Sequence, residues 1–191
     1  MRALIYLPVL VAPVIMGTMY YFVFQYRQGA LNAFVTWIGF EKIDYFSNSY
    51  ISIAIIILVN SLQFVGVSMV IYLAGLQTLD QSVIEAAKID GASGKKMLWN
   101  ITLPLLRPAF TTSVILNLIG GLKLYDVIVV LTGGGPGYAT HSMSTYISSV
   151  YFSNQQAGYA SAIGVVLFLS IAVVTVFANK LLNRFAGEDG K

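Results

Sequence analysis

The side chains of this sequence that can do chemistry are amides, carboxylates and single cations set among apolar residues, and the chemistry open to them is recognition rather than bond breaking. Asn60, Gln63 and Asn117 lie inside long uncharged stretches, where a polar group is costly and tends to face a bundle interior or a water-filled cavity. Asn60 and Gln63 stand at i and i+3, on one face of a helix. An amide both donates and accepts hydrogen bonds, as a polyhydroxylated solute requires. Asn117, Gly121 and Leu124 follow the helical spacing i, i+4, i+7. The competing role for the amides is packing against neighbouring helices; it stays open for Asn60 and Asn117 and is preferred for Gln63. Lys123 and Asp126 are three apart and could pair on one helix face, as anchors of an outer mouth or as solute contacts. Anchoring is preferred, because a lysine near a span end can snorkel to water.

A second group sits in Glu85-Ala86-Ala87-Lys88-Ile89-Asp90-Gly91, followed after nine residues by Ile101-Thr102-Leu103-Pro104. Here the chemistry is docking. Ser82 with Glu85 fits a capping box that opens a helix, and Gly91 fits the left-handed position that closes one. A second short helix is expected from about Ser93 to Asn100, ending before Pro104. Ala86 and Ala87 let a partner's backbone approach closely, Glu85 can meet a partner's cation, and Gly91 sets the angle between the two helices. The plainer alternative is a solvated loop in which Glu85 and Gly91 only cap.

Other chemistry finds no material. The single histidine, His141, has no Cys or His companion and reads as ordinary loop surface, and the chain has no cysteine. No HExxH, no Ser-His-Asp arrangement and no GxxxxGK[ST] loop is present. Thr132-Gly-Gly-Gly-Pro-Gly137 breaks helices and permits tight turns, but it is not a phosphate cradle. No catalytic residue, cofactor or metal site is therefore expected, and ATP cannot be hydrolysed by that route on this chain alone. The net charge of +3 is spread without an aromatic-interleaved basic patch, so a nucleic-acid partner is not expected.

These groups must be positioned by membrane helices. Of 191 residues, 57% are hydrophobic and 10% charged, against about 25% charged in a soluble domain. Spanning the hydrocarbon takes about 20 apolar residues, and the uncharged runs 3–26, 48–79 and 157–179 all exceed that. The expected fold is all-α, a polytopic transmembrane bundle forming a single domain over 1–191. Four spans are expected near 3–26, 50–76, 108–130 and 157–179. The third is unusual, because the 15 uncharged residues between Arg107 and Lys123 reach only roughly 22 Å as helix. Lys123 must then sit at the far interface or on a wet face. The first run, broken by Pro8 and Pro13 and lacking a small-x-small site, reads as a retained span rather than a cleaved signal.

Four spans place Arg2, Lys88, Lys95, Lys96, Arg107, Lys180, Arg184 and Lys191 on one side, and Arg27, Lys42 and Lys123 on the other. Eight against three makes the first side cytoplasmic, with both termini and the polar loop 80–107.

That loop resembles the EAA loop, EAA-x3-G-x9-I-x-LP, of permease subunits from binding-protein-dependent ABC importers (MetI-like type), with every fixed position present. Leu7-Pro8, Ala74-Gly75-Leu76, Asp90-Gly91-Ala92, Leu131-Thr132, Gly134-Gly135-Pro136 and Gly158-Tyr159-Ala160-Ser161-Ala162 extend the resemblance to the carbohydrate-importing branch, which includes maltose and glycerol-phosphate permeases. The resemblance implies a cell-membrane importer with paired ABC ATPase subunits, a second permease subunit and an extracellular solute-binding protein. It implies that Glu85, Ala86, Ala87, Asp90, Gly91, Ile101, Leu103 and Pro104 couple to the ATPase. It also aligns Asn60 with a sugar-contacting asparagine of the maltose permease, and Asn117, Gly121 and Leu124 with its cavity lining. Gly121 and Leu124 replace asparagines of that pattern, which argues against maltose itself. Members of this branch usually carry two further spans before the first one here, so a chain shortened at its start is expected. The competing functions are a stand-alone secondary transporter or channel, and a membrane remnant that transports nothing.

Overall fold

The structure, a computed structural model, describes residues 2–186, with side chains described to residue 182. Lys191 and the side chain of Arg184, both counted on the basic side, lie outside this range. The described residues form only helices: α1 (Arg2–Leu10), α2 (Pro13–Phe24), α3 (Ala30–Trp37), α4 (Ser49–Gln77), α5 (Gln81–Ile89), α6 (Gly94–Met97), a π-helical stretch (Leu98–Thr102), α7 (Leu103–Leu105), α8 (Arg107–Leu122), α9 (Asp126–Leu131), α10 (Met143–Phe152) and α11 (Ala157–Ala186).

Two helices, Ser49–Gln77 and Ala157–Leu182, are long and apolar enough to cross a membrane, and up to four spans result if each of two bent pairs counts as one. The expected run 3–26 is such a pair, with α1 and α2 meeting at 100°. Pro13 opens α2, and Ala12 before it is extended at φ −57°, ψ 136°, as the proline ring disfavours helical geometry in the preceding residue. The expected run 108–130 is divided between α8 and α9. Gly120 and Gly121 end the first piece weakly, each being about 1 kcal/mol poorer than alanine in a helix, and the Leu124 N–H turns back to the Gly121 carbonyl at 3.2 Å.

The chain divides into two compact units. The first comprises residues 1–66 and 121–170. Its core is Ile55, Ile56 and Val59 of α4 against Val127, Ile128 and Leu131 of α9, with Tyr20, Tyr21, Phe24, Tyr45, Phe46 and Leu124 packed around them. Small residues set the closest approaches, as is general where lipid removes the hydrophobic drive between helices. A Cβ on Gly66 would come within 2.8 Å of the Ile5 carbonyl oxygen and the Tyr6 Cα, so α1 crosses α4 backbone to backbone.

The second unit comprises residues 67–120 and 171–191. At Gly75 a Cβ would lie 2.7 Å from the Ala109 Cβ and 3.1 Å from Leu106 Cδ2, which explains the glycine in Ala74-Gly75-Leu76. The helical run that begins at Gly94 continues past Pro104 to Leu105 and meets α8 at 62°, where the sequence leads one to expect an end before the proline. The π turn accommodates it: the Leu103 N–H reaches the Leu98 carbonyl, five residues back, so the ladder changes register just before the residue that has no N–H.

Candidate functional site

The polar loop is an elbow whose first bend is closed by a side-chain cap and whose second is closed by backbone bonds. α5 opens on Asp80, whose Oδ1 accepts the Ser82 N–H at 2.9 Å. This corrects the expected Ser82 and Glu85 capping box: the cap stands two residues earlier, and its carboxylate already satisfies the Ser82 amide. The Ser82 N–H, followed by the Ser82 hydroxyl, holds the exposed Asp80 carboxyl below its ordinary 3.8. At the other end Gly91 adopts φ +80°, its N–H bonds the Lys88 carbonyl at 3.1 Å, and the Ala92 N–H bonds the Ala87 carbonyl at 2.9 Å. Those paired bonds are a Schellman stop, so the left-handed glycine read from the sequence is present.

Between the two caps Ala87 is buried, while Glu85, Ala86, Lys88 and Asp90 are exposed. Ile89 is 86% exposed and Trp99, on the π stretch, 66%. Ile101 and Pro104 are half-buried and Leu103 is exposed. Sequence reasoning passed over Ile89 and Trp99; their signal was a large apolar side chain within an otherwise charged segment.

The amides separate into different roles. Gln63 is fully buried and its Nε2 donates to the Val11 carbonyl at 3.1 Å, so it holds the break between α1 and α2. Its own Oε1 and, three residues earlier, the Oδ1 of Asn60 are buried with no partner among the described residues. Asn117 Nδ2 donates to the Ser113 carbonyl at 2.8 Å and to Ser68 Oγ at 3.0 Å, tying α8 to α4. A Cβ on Gly121 would meet nothing within 4 Å, which leaves open space beside it. Leu124 packs against the core cluster, and its carbonyl accepts the Ser142 hydroxyl at 2.5 Å. Lys123 and Asp126 do not share a helix face: Lys123 lies in the turn after α8 and Asp126 opens α9, and among the described residues no ion pair joins them.

The glycine-rich loop is internally bonded. Thr140 Oγ1 donates to the Gly135 carbonyl at 2.6 Å and lies 2.8 Å from Thr132 Oγ1. Ser142 and Thr145 form a reciprocal capping box at the start of α10. His141 is not ordinary loop surface: its Nδ1 lies 3.0 Å from Thr145 Oγ1, and its ring occupies the space that a side chain on Gly134 would need. No group of three or more His, Cys, Asp or Glu residues able to hold a metal occurs among the described residues.

Comparison with known proteins places this geometry in context. The family described as "Binding-protein-dependent transport system inner membrane component" matches residues 1–187. A putative ABC transporter permease of Caldicellulosiruptor sp. is 42% identical over 64% of this chain and 87% of its own. The probable starch degradation products transport system permease AmyD of Thermoanaerobacterium thermosulfurigenes is 34% identical over 96% of this chain and 62% of its own. A solved bacterial ABC transporter that imports the acidic polysaccharide alginate superposes with a TM-score of 0.84 at 25% identity, covering 96% of this chain and 64% of that one. The chain thus spans about three-fifths of the length of several relatives that it matches from end to end.

Proposed function

Because the chain belongs to the family of binding-protein-dependent transport system inner membrane components, we propose that it forms part of the translocation path of an ATP-driven importer for a saccharide or related solute. Hydrolysis occurs on separate ABC ATPase subunits. A second permease and an extracellular solute-binding protein complete the assembly. Relatives named for arabinooligosaccharides, trehalose and maltose, and starch degradation products support the solute class, and one solved neighbour holds a periplasmic protein carrying an alginate pentasaccharide.

The observation that carries this reading is the elbow. Its Schellman stop at Gly91 fixes the direction in which α5 ends, and Ile89 projects at that end uncovered. A rigid helix with a bare apolar tip and flanking charges is the form needed to receive motion from a partner that burns nucleotide elsewhere. In this reading Glu85, Ala86, Ala87, Asp90 and Gly91 form the seat in the ATPase, and Ile101, Leu103 and Pro104 carry the movement into α8. The excess of basic residues on that side supports a cytoplasmic elbow and cytoplasmic termini. α1 with α2, α4, the run ending in α8 and α9, and α11 make the crossings.

Along the path, Asn60 is the leading solute contact. No part of its amide has a hydrogen-bond partner among the described residues, whereas Gln63 is held through Nε2 and leaves only Oε1 unpartnered. Asn117 and Gly121 are lesser candidates, each considered within its own unit; Gln63 and Leu124 serve the packing described above. Lys123 and Asp126 stand at the outer mouth.

The test is solute uptake by vesicles containing the assembled importer. Glu85→Lys is expected to abolish uptake while the ATPase still hydrolyses and the chain still inserts. Unchanged uptake in that variant, or uptake by the chain without ATP or ATPase, contradicts the proposal.

A further inference from the structure

Within the first unit, one cleft of about 670 Å³ is unused by the function just proposed. It is lined by Tyr21, Gln25, Tyr26, Arg27, Asp44 and Phe46 on one wall, and by Val130 to Thr132 with Gly135 and Pro136 on the other. The volume lies within the range of about 300–1,000 Å³ that small-molecule sites occupy.

Both walls are held rigid from behind. Asn32 is 1% exposed, and its Nδ2 donates to the Tyr26 carbonyl at 3.1 Å and the Ile43 carbonyl at 2.9 Å. Its Oδ1 accepts the Ile43 N–H at 3.0 Å. Lys42 Nζ donates to the Arg27 carbonyl at 3.1 Å. One buried amide and one ammonium thereby clamp the two segments that present Tyr26, Arg27 and Asp44. The opposite wall is fixed by the Thr132 and Thr140 hydroxyls, with Thr140 donating to the Gly135 carbonyl at 2.6 Å.

The groups facing the cleft, by contrast, are uncommitted. The Gln25 amide, the Arg27 guanidinium and the hydroxyls of Tyr21 and Tyr26 have no hydrogen-bond partner among the described residues. Asp44 uses Oδ1 to accept the Phe46 N–H at 3.2 Å and keeps Oδ2 open. Tyr21 and Phe46 stack with centroids 5.9 Å apart and planes at 15°, giving the cleft an aromatic lining. Planar donors and acceptors around an aromatic surface match a sugar, which has hydroxyls at its rim and C–H faces above and below. The charges balance, with Arg27 against Asp44, so a carboxylated sugar gains from one and is repelled by the other.

We propose that this cleft is an outer subsite for a neutral oligosaccharide, holding part of the solute before it reaches the membrane path. The inference rests on the import reading and on the orientation that places Arg27, Lys42 and the glycine-rich loop outside the cell.

The chain contains no cysteine, so a single introduced thiol is a clean reporter. The full chain in nanodiscs, carrying Gln25→Cys, is reacted with a maleimide in the presence of a panel of neutral malto-, arabino- and manno-pentasaccharides, and of penta-galacturonate. At about ten times Kd, a neutral member is expected to slow labelling roughly tenfold, and penta-galacturonate is not. Arg27→Gln or Asp44→Asn removes the protection, and a reporter at Ser153→Cys is unaffected throughout. No protection by any neutral pentasaccharide overturns the subsite, as does protection that needs a binding protein without sugar. If the assembled importer still takes up solute with ATP, that failure removes the subsite alone; loss of both removes the import reading as well.

Discussion

Two glycine-containing turns of this chain are finished to different degrees. The loop after α9 closes on itself: Thr132, Thr140, Ser142 and Thr145 satisfy one another and the neighbouring carbonyls, and His141 packs on Gly134. The elbow after α4 is capped at Asp80 and Gly91 but leaves Ile89 and Trp99 bare. In the function proposed above, the bare apolar side chains make the elbow a docking surface, while the hydrogen-bonded loop, apart from its exposed Tyr138, serves as scaffold. A lesser contrast recurs within α4: Gln63 is held through Nε2 while Asn60 has no side-chain partner among the described residues, and the amide oxygens of both are buried and unpartnered.

The largest effect that sharpens the contrast is expected at Gly91. Gly91→Pro cannot adopt φ +80° and lacks the N–H that bonds Lys88. ATPase-coupled uptake should fall about a hundredfold, near the upper end of typical coupling energies, with membrane insertion retained. Gly91→Ala keeps the N–H and meets no neighbour within 4 Å, so its cost is the left-handed backbone strain of about 1–2 kcal/mol, and it should lose less. Equal losses would break the argument that backbone direction is what matters.

On the scaffold side, Asn32→Ala removes three hydrogen bonds to Tyr26 and Ile43. At about 1 kcal/mol each, unfolding in detergent should register roughly 3 kcal/mol. A smaller effect divides the two amides of α4. Gln63→Leu orphans the Val11 carbonyl but also removes the unpartnered Oε1, so its cost should fall at the low end of about 1–3 kcal/mol, whereas Asn60→Leu breaks no hydrogen bond and should leave stability unchanged or raised while uptake drops. Matching stability losses in the two variants would erase the distinction.

The smallest effect is at Asp80. Its carboxyl is held below 3.8 by the Ser82 N–H, so the ionised cap contributes fully above the unfolded-state value and is lost as pH falls through the lowered folded value. Exchange protection at the first turn of α5 should be constant above about pH 5 and decline in acid. In Asp80→Asn it should vary little with pH.

Much of this was legible in the residues because it is local. The uncharged run 48–79 is long enough to dictate α4, and Asp90-Gly91 after a helical segment needs only a left-handed glycine to close it. What escaped depends on distant partners or on choices between near-equal local options. Nothing near Gln63 in sequence announces that its partner is Val11. Asp80 and Ser82 are both good helix caps, and the spacing from Ser82 to Glu85 drew the reading to the wrong one. Pro13 was visible as an interruption, but a bend of 100° is set by how α1 crosses α4 at Gly66. The apparent pairing of Lys123 with Asp126 assumed a helix that stops one residue before Lys123.

The most direct test of the elbow is the labelling of Ile89→Cys by an impermeant maleimide in inside-out vesicles, with and without the ATPase subunits. Ready labelling without them, and strong protection when they are bound, is the predicted result. Labelling that ignores the ATPase, or that occurs only from the opposite face of the membrane, contradicts the account.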